Sequence, residues 1–176
     1  MIDEMRYATA RDTKIAYRIV WSGEPLLILS GLGDSHRDWK DDIIQSLAQN
    51  FCVILPDNRG MGLTRIGRIH PQKMTIARYV EDAYAVCMHA NVTEIYLLGH
   101  SMGGMIAQEF VLTYPDMIRK LVLFATDYGP ESGYRAHLLN LCVRTIQMLC
   151  VISPWHTRGV RAGACAIASW NGTADR

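Results

Sequence analysis

Four short, uninterrupted apolar runs punctuate the chain up to residue 126: PLLILSG at 25–31, FCVILP at 51–56, EIYLLG at 94–99 and KLVLFA at 120–125. They are too short for buried helices and do not alternate, which is the pattern of strands covered on both faces. Between them the period becomes helical. Trp39, Ile43 and Leu47 recur after Ser35 and Asp38, which have the spacing of a capping box. Ile76, Val80, Ala83 and Cys87 form a second stripe with Thr75 as its N-cap, and Ile106, Phe110 and Thr113 form a third, stopped by Pro115. This alternation predicts an α/β fold with a mostly parallel sheet flanked by helices. Ahead of it, MRYATA and TKIAYRIVW alternate as an antiparallel pair joined through Arg11 and Asp12.

After Thr126 the pattern changes. Leu138, Cys142, Ile146 and Leu149 continue a helical stripe, no further buried strand is expected, and residues 153–176 are rich in Gly, Ala and Ser. The expected organisation is a core over 1–127 and a more helical segment over 128–176. A sheet that stops at 120–125 would leave an apolar edge with unpaired N–H and C=O groups, which predicts self-association.

Charge and composition exclude several classes. Lys+Arg 18 against Asp+Glu 17 leaves a net charge of +1, with no electrostatic footprint for nucleic acid. An apolar fraction of 49% with 20% charged residues is that of a globular domain. No apolar run is long enough for a membrane span, since even LLNLCVRTIQMLCVIS holds Arg144 and Gln147. The opening MIDEMRYATARD lacks the basic and apolar regions of a signal peptide, so the expected address is cytoplasmic. Five cysteines without a CxxC pair fit neither a disulfide framework nor a thiolate metal site, and they are read as reduced, mostly buried residues.

The chemistry concentrates in Gly99-His100-Ser101-Met102-Gly103, a G-x-S-x-G set between a buried strand and a helix. That context makes it a nucleophile elbow: the chain turns sharply, and Gly99 and Gly103 remove the Cβ atoms that would clash. Ser101 would stand at the C-terminal edge of the sheet. A second glycine loop, Ser30-Gly31-Leu32-Gly33-Asp34-Ser35-His36, follows the strand at 25–31. A serine attacking a carbonyl builds negative charge on oxygen, and each backbone N–H aimed at it lowers the barrier by about 3 kcal/mol. Met102 and Leu32 are the candidate donors, with Gly31 giving the loop its close approach. A dinucleotide fingerprint is the rival reading of Gly31-x-Gly33, and it fails at the third glycine, where His36 stands.

SGLGDSHRDW, VILPDNRGMGLT and IYLLGHSMGG, in that order and spacing, resemble the α/β-hydrolase superfamily, especially its compact esterase and lipase-like members with a helical cap. The likeness covers roughly residues 5–126. It implies an eight-stranded sheet, a serine nucleophile at Ser101, oxyanion donors at Leu32 and Met102, and no metal or organic cofactor. Residues 128–176 would then be a partial cap leading toward a missing seventh strand, so the C-terminal strands are expected to be absent. Asp57, Arg59, Gly60 and Gly62 match the turn after the fourth strand, where Asp57 is expected to accept local hydrogen bonds. Serine at the elbow argues against dehalogenases and epoxide hydrolases, which in this superfamily carry aspartate there.

A serine needs a base, and the base needs an acid. In the family these follow the seventh and eighth strands, and no apolar run after Thr126 reads as either. The residues present offer His36 and His156 as substitutes for the base and Asp127 for the acid. His100 is expected to point away from the pocket. Three readings stay open: a hydrolase of small, largely uncharged ester or related acyl substrates, an inactive fragment serving as a binding module, and a perhydrolase or haloperoxidase-like activity.

Overall fold

The computed structural model describes residues 2–21, 23–66, 74–126 and 147–151. Its frame is a seven-stranded sheet in the order β1-β2-β4-β3-β5-β6-β7. Strands β1 (Ile2–Ala10) and β2 (Thr13–Trp21) form the expected antiparallel hairpin, with Ala10 opposite Thr13 across the turn at Arg11 and Asp12. Strand β2 runs antiparallel to β4 (Phe51–Pro56). From there β4, β3 (Glu24–Leu29), β5 (Ile95–His100) and β6 (Ile118–Phe124) are parallel neighbours. Each apolar run of the sequence became a strand; β3 and β4 are buried on both faces as expected, whereas β5 buries alternate residues and β6 leaves Lys120 and Phe124 exposed, a departure from that expectation.

One cover is thick. Helices α2 (Ile76–His89) and α3 (Met102–Thr113) place Tyr79, Val80, Ala83, Val86, Ile106, Phe110 and Val111 against Leu27, Leu29, Ile54, Leu97 and Leu121 of the sheet. The other is thin: α1 (Asp41–Leu47) contributes Ile44, which meets Val20, Leu26, Ile28, Val53 and Leu55. Thr75 caps α2 as expected, its side chain accepting from Arg78 N–H at 3.3 Å. Pro115 ends α3 and opens a single 3₁₀ turn, Pro115–Met117. Cys52 and Cys87 are buried, and burial pushes the Cys87 thiol up to about 12.

Two expectations need correction. Ser35 and Asp38 do not open α1. Asp38 accepts from Ser35 N–H at 2.7 Å and from its hydroxyl at 2.8 Å, closing a separate turn, and the helix starts after Lys40. These two donors hold the Asp38 carboxyl below the usual carboxylate range. The second correction concerns the sheet edge. The stripe read as helical through Leu149 gives way to strand β7 (Gln147–Val151), parallel to β6 with Lys120 opposite Gln147 and Phe124 opposite Val151. Strand β6 is therefore an interior strand and not an open edge. A mostly apolar stretch of five residues satisfies either period, and pairing with β6 decides for the strand. The rest of the segment expected to form a cap lies outside the described residues. Among the described residues no helix is long and apolar enough to cross a membrane.

Candidate active site

Parallel strands β3, β4, β5 and β6 all end at one edge of the sheet, and the loops that leave them there converge. Ser101 sits between β5 and α3 with φ 52° and ψ −121°, a conformation that side chains rarely adopt. Its backbone is held from three sides. Ser101 N–H donates to Phe124 C=O at 3.1 Å, and Ser101 C=O accepts from Gly104 N–H at 2.9 Å and from Thr126 Oγ1 at 2.6 Å. Such over-determination is what keeps a strained residue in place.

The glycines at the elbow are required by contact. A Cβ on Gly99 would lie 2.6 Å from Gly103 O and 2.6 Å from Gly104 Cα, and one on Gly103 would run into Leu29 O. Gly104 is closed by the side chain of Thr126. Helix α3 thus comes to rest on the ends of β3 and β5 because three successive surfaces lack side chains.

Gly31 brings the second loop against the first. A methyl-sized point on its Cα would be 3.4 Å from Ser101 Cβ, 3.4 Å from His100 Nδ1 and 2.7 Å from Asp34 Oδ2. Leu32, the next residue, is 71% exposed, with no packing of its own to hold it. The loop is pinned on either side instead. Trp39 Nε1–H donates to Ser30 Oγ at 2.9 Å, Asn58 Nδ2 donates to Ser30 C=O at 3.1 Å, and Gly33 N–H points at Met61 Sδ at 3.3 Å. Met102 is the first residue of α3, so its N–H is among the amides that a helix leaves without an internal partner.

Under this loop lies a buried pair. Asp57 is fully buried and accepts from His36 N–H at 2.6 Å, from the His36 ring at 2.9 Å and from Leu63 N–H at 2.8 Å. Asp57 therefore ties the loops after β3 and β4 together, the local role read for it. Beyond it, Arg59 is buried and makes a bidentate pair with Asp82 of α2 at 2.7 and 2.6 Å. Burial pushes the Asp82 carboxyl up more strongly than Arg59 draws it down, while Asp82 raises Arg59.

The described histidines have other engagements than Ser101. The ring of His36 faces Asp57, His89 Nδ1 lies 2.9 Å from Tyr17 OH, and His100 Nδ1 is 3.6 Å from Asp34 Oδ2. His100 differs from expectation: it turns toward the glycine loop. His156 and Asp127, the other candidate base and acid, lie outside the described residues. Sequence reading missed Asp34, Asn58 and Thr126 as parts of this edge. The one available signal was position, since Asp34 directly follows a loop glycine and Asn58 and Thr126 each lie two residues past a strand end.

A half-buried serine sits on a strained strand-to-helix turn of an α/β sheet and faces a glycine loop from the neighbouring strand, the local geometry that a nucleophile elbow requires. Residues 24–145 match the family model described as the alpha/beta hydrolase fold, and the chain belongs to that family. It is 34% identical over 120 residues to the protein named "Putative carbamate hydrolase RutD" of Azorhizobium caulinodans, covering 68% of this chain and 43% of the relative. To the soluble epoxide hydrolase of Corynebacterium sp. strain C12 it is 30% identical over 110 residues, covering 62% of this chain and 37% of the relative. Among solved structures, the esterase RhEst1 from Rhodococcus sp. ECU1013 aligns with a TM-score of 0.64 at 28% identity, covering 69% of this chain and 46% of the esterase. The chain spans less than half the length of these relatives.

Proposed function

We propose that this chain carries the nucleophile and oxyanion side of a serine hydrolase acting on a small ester or related acyl compound. The observation that supports it best is the Ser101 turn itself, at φ 52° and half-buried, with Gly31 packed against its Cβ. Ser101 Oγ attacks the carbonyl carbon, a C–O bond forms, and the negative charge passes to the carbonyl oxygen. Leu32 and Met102 N–H groups receive that charge. Collapse expels the leaving alcohol with a proton, and water then hydrolyses the acyl-enzyme ester, returning Ser101 as a hydroxyl.

Chemistry separates this from the epoxide opening named in some relatives. A serine alkoxide opening an epoxide would leave an ether, which has no carbonyl for water to attack. An aspartate in that place leaves an ester, which water cleaves. Ser101 therefore favours substrates with a carbonyl. Exposed Leu32 and Phe124, 71% and 44% accessible, flank the elbow and favour an apolar acyl group.

The base and acid of the whole protein belong to this proposal too. Without a base, turnover falls by about a million-fold and leaves roughly 10³ to 10⁴ over water. A fluorophosphonate probe tests the reading directly. Covalent labelling of Ser101, lost in Ser101→Ala, is the expected outcome; equal labelling of the two proteins would overturn it.

A further inference from the structure

We propose that His100 is a positioning residue: paired with Asp34, it holds the loop that carries Leu32 against the nucleophile, and the hold tightens when the imidazole is protonated. This rests on the acyl-transfer reading of Ser101 and Leu32.

The argument starts from Leu32, whose N–H must meet a developing oxyanion at hydrogen-bond distance. Its side chain is exposed, so the peptide is placed by its neighbours. On the Ser30 side the anchors are the neutral hydrogen bonds from Trp39 and Asn58. On the far side, Gly33 has φ 88° and open space around it, and its N–H faces a weak sulfur acceptor. Asp34 N–H closes back on Gly31 C=O at 3.4 Å, a long bond. Farther along, His36 is tied to buried Asp57, so the charged attachment nearest in sequence to the Leu32 peptide on that side is the Asp34 carboxylate.

His100 is built to receive it. Its ring stands edge-on to Trp39, with centroids 6.3 Å apart, and tilted over Phe124 of β6 at 5.4 Å. Two aromatic walls fix the imidazole, and Nδ1 faces Asp34 Oδ2 at 3.6 Å. Asp34, from the loop after β3, is the charged group within ion-pair distance of His100 among the described residues; Trp39 and Phe124 are uncharged. At 3.6 Å the contact is too long for a good neutral hydrogen bond and close enough for an ion pair. It gains strength when the ring carries a proton and loses it when the proton leaves. Both side chains are about one-third exposed, so the gain is modest, at most about fivefold in loop placement.

Heteronuclear NMR of the full chain between about pH 5 and 8 reads this without any catalysis. The Leu32 amide signal is expected to move with the same midpoint as the His100 ring, and to stop following it in Asp34→Asn and in His100→Gln. Asp34→Glu should restore part of the coupling. A Leu32 amide that ignores the His100 titration, or follows it equally in Asp34→Asn, overturns the proposal. Well-dispersed spectra of both variants guard against unfolding, and Asp34→Ala supplies the same comparison if Asp34→Asn does not fold. The pH profile of Ser101 labelling supplies the second readout: Asp34→Asn should lag wild type by up to about fivefold on the acid side and converge on the alkaline side. A constant ratio would count against the positioning role. Failure of wild-type labelling instead removes the acyl-transfer reading and leaves the NMR result to decide the His100–Asp34 coupling.

Discussion

Arg11 and Ser101 share a backbone feature and nothing else. Both are non-glycine residues with positive φ, 44° and 52°. Arg11 sits in the two-residue turn between β1 and β2, where strand twist favours left-handed residues. Its side chain is 68% exposed and reaches Glu81 at 3.1 Å. Ser101 has ψ −121°, outside the left-handed helical well, and is bonded to Phe124, Gly104 and Thr126. The first strain comes from local turn geometry and any flexible residue could relieve it. The second is imposed by α3 and, across the sheet, by β6 and the residues that follow it. Ala125, with φ 48°, adds a further strained residue to the same edge. Strain that serves a site is recognised by how many distant groups are needed to maintain it.

The largest expected effect would break the link between these two regions. Arg59 leaves the loop after β4, pairs with Asp82 and has Asp12 of the hairpin turn at 3.7 Å. Asp82→Ala removes its bidentate partner inside the core and should cost about 3–5 kcal/mol in urea unfolding, with recovery when Arg59→Met is added. Next comes Gly103→Ala. Its Cβ meets the backbone of β3, which cannot swing away, so a loss of about 2–3 kcal/mol is expected. Gly33→Ala, with φ 88° and open space, should lose only about 1 kcal/mol.

Glycine substitution then compares the two strained turns directly. Ser101→Gly should raise stability by about 1–2 kcal/mol while abolishing labelling, whereas Arg11→Gly should change it by less than about 1 kcal/mol. Equal gains would mean that both strains are local. The smallest effect lies at the hairpin end. Arg18 donates to Asp3 at 2.9 and 2.7 Å and holds its carboxyl below the ordinary 3.8. Because the unfolded chain takes up that proton more readily, this contribution is present above pH 3.8 and fades as pH falls through the native value. The pair is partly exposed, so Asp3→Asn should remove less than about 1 kcal/mol of the acid-dependent stability.

Much of this architecture is legible in one dimension. The run FCVILP coincides with β4, and Thr75 caps α2 where its spacing to the first apolar residue requires. The G-x-S-x-G at 99–103 falls on a strand-to-helix turn that needs glycine on both sides. The failures share a cause. Ser35 and Asp38 satisfy each other in a turn, a choice that depends on how the loop must bring His36 to Asp57, twenty-one residues on from that histidine. Gln147–Val151 reads equally well at two periods, and the open side of β6 decides between them.

Local sterics and hydrophobic periodicity are properties of neighbouring residues, and so they established from sequence alone where the chain would be strand, where helix, and which serine would be pushed out of a bend. The partners of that serine are another matter. Phe124, Thr126, Gly31 and His100 meet Ser101 because β3, β5 and β6 lie side by side in parallel, with Leu29 level with Gly99 and His100 level with Phe124. Register between strands is set by the packing of whole faces of the sheet, and only tertiary structure could bring Asp34 to His100 across sixty-six residues of chain.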